Sequence, residues 1–123
     1  MVKVVKFGGS SLANAEQFRK VADIIHAEES RRYIVPSAPG KRFNGDAKVT
    51  DMLYDCYSSK KEDFRNKLEA IKARYNEIIR DLKLDLSLEK EFETMEAYFI
   101  GKAGRDYAAS RGEYLNGIVL ANY

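Results

Sequence analysis

The apolar positions change period along the chain, and each change marks an element. Val2-Lys3-Val4-Val5 is a β-branched run that predicts a buried strand. After a glycine turn, Asn14 and Gln17 have the form of a helix-capping pair, and Phe18, Val21, Ala22 and Ile25 recur at helical spacing through about Glu29. Arg31-Arg32 are read as closing that helix, and Tyr33-Ile34-Val35 as a second short strand. Residues 2–35 therefore predict a right-handed β-α-β unit with parallel strands. The segment from Pro36 to Lys48 holds both prolines of the chain, two glycines and mixed charges, which predicts a loop at the carboxyl edge of the sheet. Open α/β sheets bind their ligands on that edge. Thr50-Asp51 can cap a helix whose apolar face is Met52, Leu53, Cys56 and Tyr57, ending near Ser58-Ser59.

Residues 60–104 follow a different rule. Phe64, Leu68, Ile71, Tyr75, Ile78 and Leu82 keep an alternating four-three spacing, which breaks around Leu84-Asp85-Leu86-Ser87 and returns at Leu88, Phe92, Met95 and Phe99. Two antiparallel helices fit this best, packed on the rest of the domain or on a second subunit. Ile100-Gly101-Lys102-Ala103-Gly104-Arg105 interrupts the pattern, and Tyr107-Ala108-Ala109-Ser110 leads into a last helix containing Leu115, Ile118, Val119 and Leu120. Only two strands are read in all, so the expectation is an α/β fold that forms part of a domain.

Composition narrows the class without naming a partner. With 123 residues, 45% hydrophobic and 33% charged, the chain can bury one modest core. Its 21 basic and 19 acidic residues are well mixed, so charge argues for neither nucleic acid nor an anionic membrane. A single cysteine, Cys56, and a single histidine, His26, exclude an intrachain disulfide and a Cys- or His-based metal cluster, and no metal ligands are assigned. Cys56 reads as core and His26 as a partly buried surface residue. No window approaches the length that spans a bilayer, and the N-terminus has no apolar core of a signal peptide. The reading from this is a soluble, cytoplasmic chain with an unprocessed N-terminus.

The chemistry concentrates in Lys6-Phe7-Gly8-Gly9-Ser10-Ser11, at the strand-to-helix turn. Adjacent glycines permit a positive φ and close approach of a ligand, and the amides opening a helix are unpaired. With the charge of Lys6 and two hydroxyls, such a turn suits a phosphate. The rival reading is a plain βα turn with Lys6 in solvent. Ser110 and Glu113 have the spacing of a capping box, so Glu113 can equally be a backbone partner at a helix start, and Thr50 an ordinary N-cap.

Three separated stretches carry a family resemblance. Val5-Lys6-Phe7-Gly8-Gly9-Ser10-Ser11, Val35-Pro36-Ser37-Ala38-Pro39-Gly40 leading to Thr50-Asp51, and Ser110-Arg111-Gly112-Glu113-Tyr114-Leu115 resemble, in order and separation, the N-terminal part of the aspartate kinases of the amino acid kinase superfamily. The resemblance implies a partial three-layer amino acid kinase-like fold over residues 1–123, a parallel sheet flanked by helices, with 60–104 as an inserted helical hairpin. It implies that the nucleotide half and the regulatory ACT domains lie outside this chain. The implied activity is ATP-dependent phosphorylation of L-aspartate to 4-phospho-L-aspartate, towards lysine, threonine and methionine, with Mg2+ held mainly through the nucleotide and a homo-oligomeric full-length enzyme. By the resemblance Lys6 is catalytic and meets the transferring phosphate, with Phe7, Gly8, Gly9 and Ser10 as its cradle. Ser37, Thr50 and Glu113 go to aspartate. Lys41, Arg42 and Lys48 of the charged loop either contact substrate or only solvate it. A chain carrying only this part is expected to be inactive alone. The alternatives are another small-molecule kinase of the superfamily and a non-catalytic helical interaction module.

Overall fold

The structure, a computed structural model, describes residues 2–123. Strand β1 (Lys3–Lys6) pairs in parallel with β2 (Arg31–Val35), placing Val4 opposite Tyr33, Val5 opposite Ile34 and Lys6 opposite Val35. A 3-10 turn at Gly9–Leu12 and helix α1 (Ala15–His26) form the crossover between them. The Asn14 side chain accepts the Gln17 amide at 3.1 Å, and Ala15, Phe18 and Val21 form the buried stripe of α1. The parallel strands and packed helices are the α/β class expected.

Two strand expectations need correction. Arg31 and Arg32 do not close α1; they begin β2. The helix stops at His26, and a tight turn at 27–30 brings Arg31 into the sheet, with Lys3 N–H donating to Ser30 O at 2.6 Å. A surface cluster holds this corner: Glu28 meets Lys3 at 2.6 Å and Arg31 at 3.2 Å. The Lys3 hydrogen bond, helped by Ser30, draws the Glu28 carboxyl below its ordinary range. Nor is β1 buried on both faces. Val4 is 68% and Tyr33 63% exposed, side by side on one face, while Val5 and Ile34 turn the other way onto the core.

Four further helices complete the core. Helix α2 (Val49–Ser58) buries Val49, Leu53 and Cys56. Helices α3 (Lys61–Asp81) and α4 (Glu89–Ile100) run antiparallel, with Phe64 against Phe99, Arg65 on Glu96 and Tyr75 against Phe92. Helix α5 (Arg105–Asn122) packs on α2, and the Tyr75 hydroxyl donates to Gly112 O at 2.8 Å. Burial pushes the Tyr75 hydroxyl well above the ordinary phenol range, so it remains a donor. Cys56 lies in the core, where burial raises its thiol to about 11, and His26 is exposed rather than partly buried. Among the described residues no helix is long and apolar enough to cross a membrane.

Candidate active site

Lys6 ends β1 and is exposed, while the next residue, Phe7, is buried and donates its N–H to Val35 O at 3.0 Å. That alternation seats the turn on the core through Phe7 and leaves Lys6 facing solvent. The glycines do not serve a left-handed conformation. Gly8 is extended (φ −74°, ψ 168°), and among the described residues only Gly45 and Gly104 are glycines with positive φ. The close constraint is across to the neighbouring loop. A Cβ on Gly40 would stand 2.5 Å from Gly9 C and 2.7 Å from Ser10 N, and Gly40 N–H donates to Gly9 O at 2.8 Å. The 3-10 turn opens at Gly9, so the Gly9 and Ser10 amides have no acceptor within it.

The segment 35–40 is where the three stretches meet. Val35 pairs with Lys6, and Gly40 with Gly9. Ser37 O accepts Asn116 Nδ2 from α5 at 2.8 Å, and a Cβ on Gly112 would stand 2.6 Å from Ala38 Cβ, so α5 touches this segment with no room to spare. Pro39 O accepts the Val49 amide at 3.0 Å, fixing the start of α2. Thr50 is therefore the second residue of α2, not its N-cap; Lys48 holds that position without a side-chain bond. The capping-box reading of Ser110 and Glu113 is also overturned. Helix α5 begins at Arg105, the Ser110 hydroxyl donates back to Tyr107 O at 2.7 Å, and Glu113 sits mid-helix and exposed, next to Gly112.

The backbones carrying Lys6, Ser10, Ser37, Thr50 and Glu113 are thus brought to one region at the carboxyl ends of the strands. Among the described residues none of these five side chains is spent on a side-chain hydrogen bond or ion pair with another. Arg42 behaves oppositely. Asp46 grips it at 2.7 Å and 3.1 Å and Glu77 stands at 3.3 Å, so Arg42 braces its own loop, while Lys41 and Lys48 remain exposed. The Arg42 hydrogen bond holds the Asp46 carboxyl well below the usual carboxylate range. No three metal-ligating side chains cluster among the described residues. Sequence reasoning missed Asn116, which is buried, holds the Ser37 carbonyl and leaves its Oδ1 without a partner. Its only signal is a polar residue four positions after Gly112, on the same face of α5.

The chain belongs to the amino acid kinase family, whose model matches residues 1–123. Within it the similarity is to aspartokinases. The chain is 42% identical to Aspartokinase 3 of Bacillus subtilis over 89 residues, 71% of this chain and 20% of that protein. It is 33% identical to the chloroplastic Aspartokinase 1 of Arabidopsis thaliana over 130 residues, 98% of this chain and 23% of that protein. Among solved structures, the aspartate kinase of Clostridium acetobutylicum superposes with a TM-score of 0.91 at 48% identity, covering 98% of this chain and 28% of that one. Escherichia coli aspartokinase III, solved in complex with aspartate and ADP, shares the fold with a TM-score of 0.80 at 22% identity over 99% of this chain. The chain spans about a fifth to a quarter of the length of the curated relatives it matches.

Proposed function

We propose that this chain supplies the phosphate loop and the aspartate side of an aspartate kinase, which phosphorylates L-aspartate with ATP in the biosynthesis of lysine, threonine and methionine. The meeting of the three stretches at segment 35–40 supports this most strongly, together with the similarity to aspartokinases. The attacking group is the side-chain carboxylate of aspartate. With a pKa of about 3.9 it is already ionised at neutral pH, so no general base is needed. Its oxygen forms a bond to the γ-phosphorus as the bond from that phosphorus to the bridging oxygen breaks, giving 4-phospho-L-aspartate and ADP.

What the protein must do is hold two anions together and neutralise the charge on the transferred group. Lys6 supplies a full positive charge there, and the backbone from Phe7 to Ser10 supplies donors. Thr50 donates to a substrate carboxylate, Ser37 lines the same pocket, and Glu113 pairs with the substrate ammonium. Mg2+ would be held mainly through the nucleotide, where it would screen the phosphate oxygens. The enzyme is cytoplasmic and assembles as a homo-oligomer, with the adenine site and the regulatory domains outside residues 1–123. The chain alone is inactive, because the nucleotide half of the site is not part of it.

Substrate comparison tests the reading. The intact gene product is expected to phosphorylate L-aspartate, with little turnover of L-glutamate, carbamate or nucleoside monophosphates, and the purified 123-residue chain to turn over no ATP. A preference for another acceptor would assign a different kinase of the family. ATP turnover by the short chain would refute its dependence on the missing half.

A further inference from the structure

Arg74 is the one buried charged residue among the described residues, 4% exposed, and it lies on α3 outside every stretch that carries the family resemblance. One terminal nitrogen donates to Ala47 O at 2.9 Å, and the other to Gly40 O at 2.7 Å, with Ala13 O at 3.5 Å from that second nitrogen. The nearest carboxylate, Asp46, stands 3.8 Å away, and both of its oxygens are already engaged by Arg42. Carbonyl dipoles therefore do most of the work of solvating this guanidinium, and burial lowers its pKa.

These carbonyls come from segments far apart in sequence. Ala13 follows the glycine turn, Gly40 is the residue whose amide bonds Gly9, and Ala47 precedes Thr50 by three positions. We propose that Arg74 is a positioning residue, a guanidinium clamp that fixes the glycine turn against the start of α2 so that the phosphate donor and the aspartate acceptor are held in line. This rests on the aspartate kinase reading above. A planar fork can serve Ala47 and Gly40 from separate nitrogens; a lysine ammonium is a single point and cannot span them.

A clamp of this kind acts on alignment. Misplacing reacting groups by about 1 Å lowers turnover by about a hundredfold, with little effect on the separate binding of either substrate. The experiment uses the intact gene product as Arg74→Lys and Arg74→Ala, with Ile71→Val as a control that loses packing on the same helix without touching the clamp. In Arg74→Lys, kcat is expected to fall at least about tenfold while each KM moves less than about threefold. Hydrogen exchange at the Gly40 and Val49 amides is expected to quicken by about tenfold, with α4 unchanged. Should Arg74→Ala fail to fold, the lysine variant decides.

Wild-type kcat in Arg74→Lys, or a fall no larger than that of Ile71→Val, would overturn the proposal. Failure of the unmodified enzyme to phosphorylate aspartate would instead refute the functional reading. Exchange then judges the clamp by itself, and unchanged rates at Gly40 and Val49 refute it.

Discussion

Gly112 illustrates how a single residue positions the candidate site. Mid-helix glycine costs about 1 kcal/mol relative to alanine, so propensity alone would favour Gly112→Ala. Packing decides the other way. The added methyl would stand 2.6 Å from Ala38 Cβ and 3.2 Å from Leu53 Cδ1, and overpacking of this kind costs about 1–3 kcal/mol. Because Ala38 adjoins Ser37, and Gly112 adjoins Glu113, the displacement falls on residues assigned to aspartate. Gly112→Ala is expected to lower stability by about 1 kcal/mol and to raise the KM for aspartate more than that for ATP, as steady-state kinetics can measure. The role of this glycine is not legible in the sequence. Ser110 and Glu113 have capping spacing, and only the start of α5 at Arg105 shows that both lie inside the helix. The Gly8-Gly9 pair was legible as a turn, but the reason for glycine was not. For Gly9 it is the approach of Ala38 and Gly40, which a chain read along its own length does not reveal; a Cβ on Gly8 would meet nothing within 4 Å.

Helix existence was readable from period because a buried stripe is a property of the helix itself. The α3 and α4 stripes fall where the four-three spacing puts them. Helix ends were less readable. Helix α3 closes with Lys83 at φ 57°, where Leu84 N–H reaches Ile79 O at 3.0 Å, and α4 closes likewise with Lys102 at φ 60°. Glycine usually fills this left-handed position, so a lysine gives no stop signal. The left-handed lysine at position 83 is strained. Lys83→Gly removes about 1–2 kcal/mol of backbone strain and adds about 0.4–1 kcal/mol of unfolded-state entropy. The variant is expected to slow hydrogen exchange of the Leu84 amide by a few-fold; faster exchange would show that the lysine is held there by something more than the turn. Strand burial was misread for a related reason. Whether Val4 and Tyr33 are covered depends on what lies across the sheet, and a strand's own residues do not encode that.

For the whole molecule, the helices form a scaffold around one loop crossing. The strands deliver Lys6 and Ser37 to the same edge, α2 brings Thr50, α5 brings Glu113, and α3 braces the loops from beneath through Arg74. The assigned residues lie in separated stretches, so their proximity was legible only through resemblance, whereas the bracing by Arg74 and Asn116 carried no such signal. In the proposed enzyme Lys6 and Glu113 serve two different ligands of one site. This division of roles is tested most directly by the rate of 4-phosphoaspartate formation from ATP, magnesium and L-aspartate by the intact gene product, compared with Lys6→Met and Glu113→Ala. The expected result is a loss of about a thousandfold in kcat for Lys6→Met, and for Glu113→Ala a KM for aspartate raised at least about tenfold with the KM for ATP unchanged. Unaltered kinetics in both variants would contradict the claim and return Lys6 to a solvent-facing strand end and Glu113 to the surface of α5.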